Sequence, residues 1–275
     1  KDQNRVDLGG GGDVKKPTKV SKIFFIGNNQ FSEGKLEETI QTKESRWYRF
    51  FTSDDNYDPH RMDYDKEVLR LFYLQHGYAD FKVKSAVAEL TPDKKEFFIT
   101  FTLDEGRRYT IGNIKIDSKV PKVDGSDLIP SVTFSSGDWY NNKEVEKSVD
   151  ALTNEVGKRG YAFVDIQPNL ERNPETGVLD VTFEIQEGPK VYIDQIKITG
   201  NVRTDDDVIR RELLFYEGDA FNSDKLKRSE RKVRNLGFFK DVKINREPSV
   251  YADKVNIVID VEEDRTGELS FGGGF

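Results

Sequence analysis

The chain has 275 residues, of which 35% are hydrophobic and 34% charged, a balance that suits several small folded units better than one large core. Its 43 basic and 50 acidic residues are scattered and leave a net charge of -7, which argues against the clustered cationic footprint of a nucleic-acid binder. Cysteine is absent, which removes disulfides, thiolate metal sites and cysteine nucleophiles, and no apolar run reaches the roughly 18 residues that span a bilayer.

In chain order, Asn4-Arg5-Val6-Asp7-Leu8 reads as the stump of a closing strand, and Gly9 to Gly12 as a linker, native or introduced. The tetraglycine is no phosphate loop, because Asp13-Val14-Lys15 lacks the Gly-Lys-Ser/Thr that holds phosphate. Ile23-Phe24-Phe25-Ile26-Gly27-Asn28 predicts an opening strand and a turn. Trp47, Tyr48, Phe50 and Phe51 then form an aromatic cluster, read as interhelical packing or an apolar groove. Asp54-Asp55-Asn56-Tyr57-Asp58 with Asp65 has the oxygen spacing of a calcium loop, but Pro59 stands where the turn needs glycine, so a polar loop is expected. A helix follows and closes at Gly77-Tyr78-Ala79, where glycine supplies the left-handed cap. A strand from Phe81 to Glu89, a turn at Thr91-Pro92-Asp93-Lys94 and a second strand alternating Phe97, Ile99, Phe101, Leu103 complete the unit before Glu105-Gly106.

The same signals then recur. Ile114-Lys115-Ile116-Asp117-Ser118 keeps the opening strand but lacks the Gly-Asn. A helical stripe of Val145, Val149, Leu152 and Val156 ends at Gly160-Tyr161-Ala162. Val164, Ile166 and Leu170 lead through the turn Asn173-Pro174-Glu175-Thr176-Gly177 into Leu179, Val181, Phe183, Ile185 and the marker Glu187-Gly188. A third pass opens with Ile196-Lys197-Ile198-Thr199-Gly200-Asn201 and predicts a short helix from Thr204 to Leu214, capped by Thr204, with Asp205, Asp206 and Asp207 against its positive end. Leu226, Val233 and Leu236 form its long helix, ended by Gly237-Phe238-Phe239. Val242 and Ile244, the turn Pro248-Ser249-Val250-Tyr251, and Val255, Ile257, Ile259, Val261 close the pattern. Each unit therefore reads β-α-α-β-β, an α+β fold in which two helices cover one face of a three-stranded sheet. Leu269, Phe271, Gly273 and Phe275 alternate like the start of a barrel strand, or belong to a tail.

Chemistry finds few parts. His60 and His76 are the only histidines and carry no triad or zinc spacing, and no carboxylate pair stands apart from the other acids. No catalysis and no cofactor or metal is expected. Interaction is the alternative. The strand Phe81, Lys82, Val83, Lys84, Ser85, Ala86, Val87, Ala88, Glu89 follows its helix directly and is expected at a sheet edge, where an extended client pairs through backbone groups. A proline at Val83 or Val87 is the expected block.

These residues resemble the POTRA repeats of outer-membrane protein assembly factors. Gly77-Tyr78-Ala79-Asp80-Phe81 with Leu90-Thr91-Pro92-Asp93-Lys94-Lys95 is similar to a third repeat, Tyr140-Asn141 with Gly160-Tyr161-Ala162 to a fourth, and Arg210-Arg211-Glu212 with Asn235-Leu236-Gly237-Phe238-Phe239 to a fifth. The resemblance implies three tandem POTRA domains at 20–107, 108–188 and 189–265, after a stump or linker at 1–19 and before a barrel strand at 266–275. It implies a scaffold on the periplasmic side of the Gram-negative outer membrane whose partners are unfolded outer-membrane proteins, accessory lipoproteins and its own membrane barrel. A related three-repeat translocation factor or import channel is the alternative, and an acidic periplasmic hydrolase a remote one. By the same resemblance Arg210, Arg211 and Glu212 are expected to dock a helical-repeat lipoprotein, beside Val208, Ile209 and Leu213 at core spacing.

Overall fold

The computed structural model describes residues 19–44, 57 and 59–263. The stump, the tetraglycine, the cluster Trp47 to Phe51, most of the acidic loop and the segment Gly267 to Phe275 lie outside the described residues, as does the side chain of His60.

The described chain forms three sheets of three strands each. The first unit holds β1 (Lys19–Ile26), α1 (Glu33–Thr39), α2 (Pro59–Leu74), β2 (Lys82–Leu90) and β3 (Glu96–Asp104). The second holds β4 (Thr110–Ser118), a 3-10 helix (Gly125–Ser131), α3 (Asn142–Lys158), β5 (Val164–Asn173) and β6 (Val178–Glu187). The third holds β7 (Tyr192–Thr199), α4 (Asp206–Arg210), α5 (Ser223–Arg234), β8 (Phe239–Pro248) and β9 (Lys254–Glu263). In every sheet the last strand is central, parallel to the first and antiparallel to the second. This explains why the last strands alternate most cleanly. Ile99 and Phe101, then Leu179, Val181, Phe183 and Ile185, then Ile257 and Ile259 are all 0% exposed beneath the helices.

The Gly-Asn pair has a physical reason. At Gly27 (φ 91°) and Gly200 (φ 87°) a Cβ would sit 2.2 and 1.9 Å from the carbonyl oxygens of Leu103 and Val261, so only glycine fits. The following Asn28 and Asn201 donate from Nδ2 to the carbonyls of Phe31 (3.0 Å) and Thr204 (2.8 Å), bending the chain into the first helix. In the second unit Asp117-Ser118 instead extends β4, and the place of the first α-helix is taken by a 3-10 helix that contains Pro130 and is capped by Asp124. The short helix of the third unit is α4, Asp206–Arg210, rather than Thr204–Leu214. Its N-cap is Asp205, without a side-chain cap bond, while the Thr204 N–H is held by Glu263 at 2.9 Å. Beyond Arg210 the chain tightens into i to i+3 bonds, Glu212 to Ile209 and Leu213 to Arg210, which turn Leu213 and Phe215 inward.

The units are tightly joined. Between the first and second, the Tyr109 N–H donates to the Gly77 carbonyl (2.8 Å), its hydroxyl meets Asp80, and Arg172 pairs with Asp80 at 2.5 Å. Arg107 donates to the carbonyls of Pro174 and Glu175 at 2.7 and 2.6 Å, and Arg108 stacks on Trp139 at 3.8 Å. Between the second and third, Arg228 of α5, 8% exposed, reaches Asp150 of α3 at 2.5 Å and is held in place by Asp224 of its own helix at 2.9 Å. Ser223 donates to Asp165 (2.8 Å), and Phe163 meets Tyr192 edge-on at 5.1 Å. Gly237 of the third unit lies under Tyr64 of the first, 2.9 Å from where a Cβ would stand.

Candidate interaction surfaces

β2 occupies one edge of the first sheet and pairs only with β3 among the described residues. Its register fixes which backbone groups face outward. The Thr91 N–H donates to the Glu96 carbonyl (2.9 Å), one step beyond the Leu90–Phe97 pair. Bonded and non-bonded pairs alternate along an antiparallel ladder, so Glu89, Val87 and Ser85 bond to β3, while Leu90, Ala88 and Ala86 turn both N–H and C=O to the open side. No hydrogen bond from any other element reaches these outward groups among the described residues.

The side chains divide between core and solvent, with Leu90 exposed at the end of the strand although it shares the face of Ala86 and Ala88. Val83, Ala86 and Ala88 pack on the core, while Val87 and Leu90 are 45% and 47% exposed. Lys84 sits at a bulge between Val83 and Ser85, which ends the regular edge toward the helix. Phe81 is no part of the edge. It is 5% exposed and stacks on Tyr73 with ring centroids 4.0 Å apart. The N–H of Val87 also faces β3, so a proline there would break the repeat's own ladder. Ala88 is the position at which proline removes only an outward donor.

In the third unit Arg210, Arg211 and Glu212 fall at the end of α4 and just after it. Arg210 donates to the Ile196 carbonyl (3.0 Å) and so ties α4 to β7, and the Arg211 Nε returns to the Asp207 carbonyl at 3.1 Å. Glu212 faces Lys232 of α5 at 4.0 Å. The three are therefore neighbours in sequence with different local tasks, and Arg211 is the exposed one. Of the residues at core spacing, Ile209 and Leu213 are buried and Val208 is half-buried.

Asp65, the last acid of the candidate calcium loop, is a structural anchor. It is 0% exposed and accepts from the backbone N–H of Gln41 (2.7 Å) and Thr42 (3.1 Å). Burial pushes its carboxyl above the ordinary value, against the pull of those hydrogen bonds. Glu105 has a similar task. It accepts from the N–H of Asn29 (2.9 Å) and Gln30 (3.1 Å) and from the Tyr73 hydroxyl (2.9 Å), and burial, then Glu105, raise the Tyr73 phenol strongly. Glu263 repeats the clamp on Arg203 and Thr204, at 3.0 and 2.9 Å. The recurring Glu-Gly marker was a signal for it at Glu105. Nothing in the sequence pointed to Arg228, whose partner Asp150 lies in another unit.

One family model, POTRA, described as surface antigen variable number repeat, matches residues 18–106, 109–188 and 191–264. The chain is 31% identical over 274 residues to the outer membrane protein assembly factor BamA of Neisseria meningitidis serogroup B, and 32% identical over 275 residues to that of Neorickettsia risticii. It spans 99% and 100% of its own length in these matches but only 34% and 37% of the relatives. A crystal structure of Haemophilus influenzae BamA POTRA3-5 matches 92% of this chain and 100% of that one, with a TM-score of 0.56 at 21% identity. Repeat for repeat, in sequence and in fold, the chain belongs to the POTRA family.

Proposed function

We propose that this chain is the periplasmic scaffold of an outer-membrane protein assembly factor, and that the β2 edge receives extended segments of unfolded outer-membrane proteins by strand addition. The relatives named above support the process, and the open edge at Ala86, Ala88 and Leu90 supports the mode. Backbone pairing tolerates many sequences, which suits a factor with many clients, while Val87 and Leu90 add a mild apolar preference. The work is binding and positioning, without bond chemistry.

The same reading gives the third unit a docking role toward an accessory lipoprotein, with Arg211 its exposed charge. Charges at such a surface set orientation and association rate more than affinity.

Ala88→Pro in the full-length protein tests the edge. It withdraws an outward donor and leaves the β3 ladder intact, so the repeat stays folded while cross-linking of nascent clients to β2 falls. Glu89→Lys, which changes only a side chain, leaves cross-linking near the parent level. Unchanged client cross-linking in a folded Ala88→Pro protein contradicts the proposal.

A further inference from the structure

The three sheets share one topology, so β5 and β8 occupy the same edge position as β2. Their outward groups differ. The Gly188 N–H donates to the Phe163 carbonyl (2.8 Å), one step beyond the Val164–Glu187 pair, and alternation then turns Ile166, Pro168, Leu170 and Arg172 outward. Pro168 thus stands in the middle of the β5 edge, at a position that would otherwise present an N–H. The ring removes the donor and occupies the space an incoming carbonyl would take. In β8, both outward groups of Val242 are taken: its N–H donates to Asp241 (2.9 Å) and its carbonyl accepts from Arg234 (2.6 Å). The same alternation puts Pro248 at the far end of that edge.

The middle of the β5 edge faces open space, while near its ends Asp165 and Arg172 bond to Ser223 and Asp80 of the neighbouring units. The edge opens on a cavity of about 580 Å³ where the three units meet, lined by Leu74, Pro168, Leu170 and Arg228 among others.

We infer that Pro168 is a gatekeeper that silences the strand-pairing edge of the second repeat, so that extended clients are directed to the proline-free β2 edge of the first. This rests on the strand-addition reading above and adds the determinant of which repeat binds. Without Pro168 one client could bridge two repeats, or two chains could pair side by side, the hazard that open edges carry.

The test uses the 275-residue chain, labelled with nitrogen-15 and titrated with a ten-residue peptide of alternating valine and threonine. In the parent, amide shifts are confined to β2. In Pro168→Val a second saturable set appears at Leu170 and Arg172, and Pro168→Ala gives the same result should the bulkier residue disturb the fold. Shifts along β5 in the parent, or a β5 that stays silent in both folded variants, overturn the inference whatever β2 does. Silence of β2 alone, with β5 responding in the variants, overturns the strand-addition reading of β2 and leaves the role of Pro168 standing.

Discussion

Glu105 is 8% exposed and is the acceptor for two backbone donors and one phenol. Glu105→Ala leaves these groups without a partner and is expected to cost the first repeat about 2–3 kcal/mol, most of it for the buried Tyr73 hydroxyl and the rest for two part-buried backbone donors. Glu187, its counterpart in the Glu-Gly marker, is exposed and clamps no loop, so Glu187→Ala stays within about 0.5 kcal/mol. Local hydrogen exchange in each repeat separates the two, and equal costs would contradict the clamp. Asp65 adds a pH dependence. Its carboxyl is raised by burial above 3.8, so it holds a proton more tightly folded than unfolded, and its contribution declines as pH rises from 3.8 through the raised value. In Asp65→Asn that decline disappears from the stability profile, although the variant is less stable by about 1–3 kcal/mol because its amide group opposes backbone donors. A profile with an unaltered slope would show that Asp65 does not titrate in this window.

Elements were legible where their periodicity is local. The strands followed from alternation at period two, and the central place of β3, β6 and β9 explains why those runs are the most apolar. α4 was less legible because Val208, Ile209 and Leu213 keep helical spacing while the backbone changes to a tighter turn after Arg210. The 3-10 helix of the second repeat had a signal in the missing Gly-Asn, but its meaning needed the carbonyls of Leu103 and Val261 to be seen over Gly27 and Gly200. A contrast between glycines follows. Gly200→Ala places a Cβ against a carbonyl 1.9 Å away, as well as a strained φ, whereas Gly160→Ala meets nothing within 4 Å. The first is expected to unfold the third repeat or cost well over 2 kcal/mol, the second only about 1 kcal/mol of backbone strain. Urea titration with one reporter per repeat measures both, and comparable losses would refute the close-approach argument. The edge position of β2 was readable from the order of elements, but the phase of its outward groups was not. That phase came from one hydrogen bond at Thr91 and moves the useful proline from Val87 to Ala88.

At the scale of the molecule, contacts between repeats carry no periodic signature, which is why the pair of Arg228 with Asp150 could not be anticipated. Burial raises the Asp224 carboxyl above its ordinary value, and the attraction of Arg228 on the same helix offsets part of that rise. Arg228→Ala is expected to widen the range of angles between the second and third repeats in small-angle scattering while each repeat keeps its own helices and sheet. An unaltered scattering profile would assign the rigidity to Phe163, Tyr192 and Ser223 instead. At this scale the proposed role of β2 is that of the strand-pairing edge of the array. Residue-resolved amide exchange in the presence and absence of an unfolded outer-membrane β-barrel segment tests it most directly. Strand addition at β2 brings new protection to the N–H groups of Ala86, Ala88 and Leu90, with Ser85, Val87 and Glu89 already protected by β3. Protection that appears elsewhere, or not at all, while the segment is bound would contradict it.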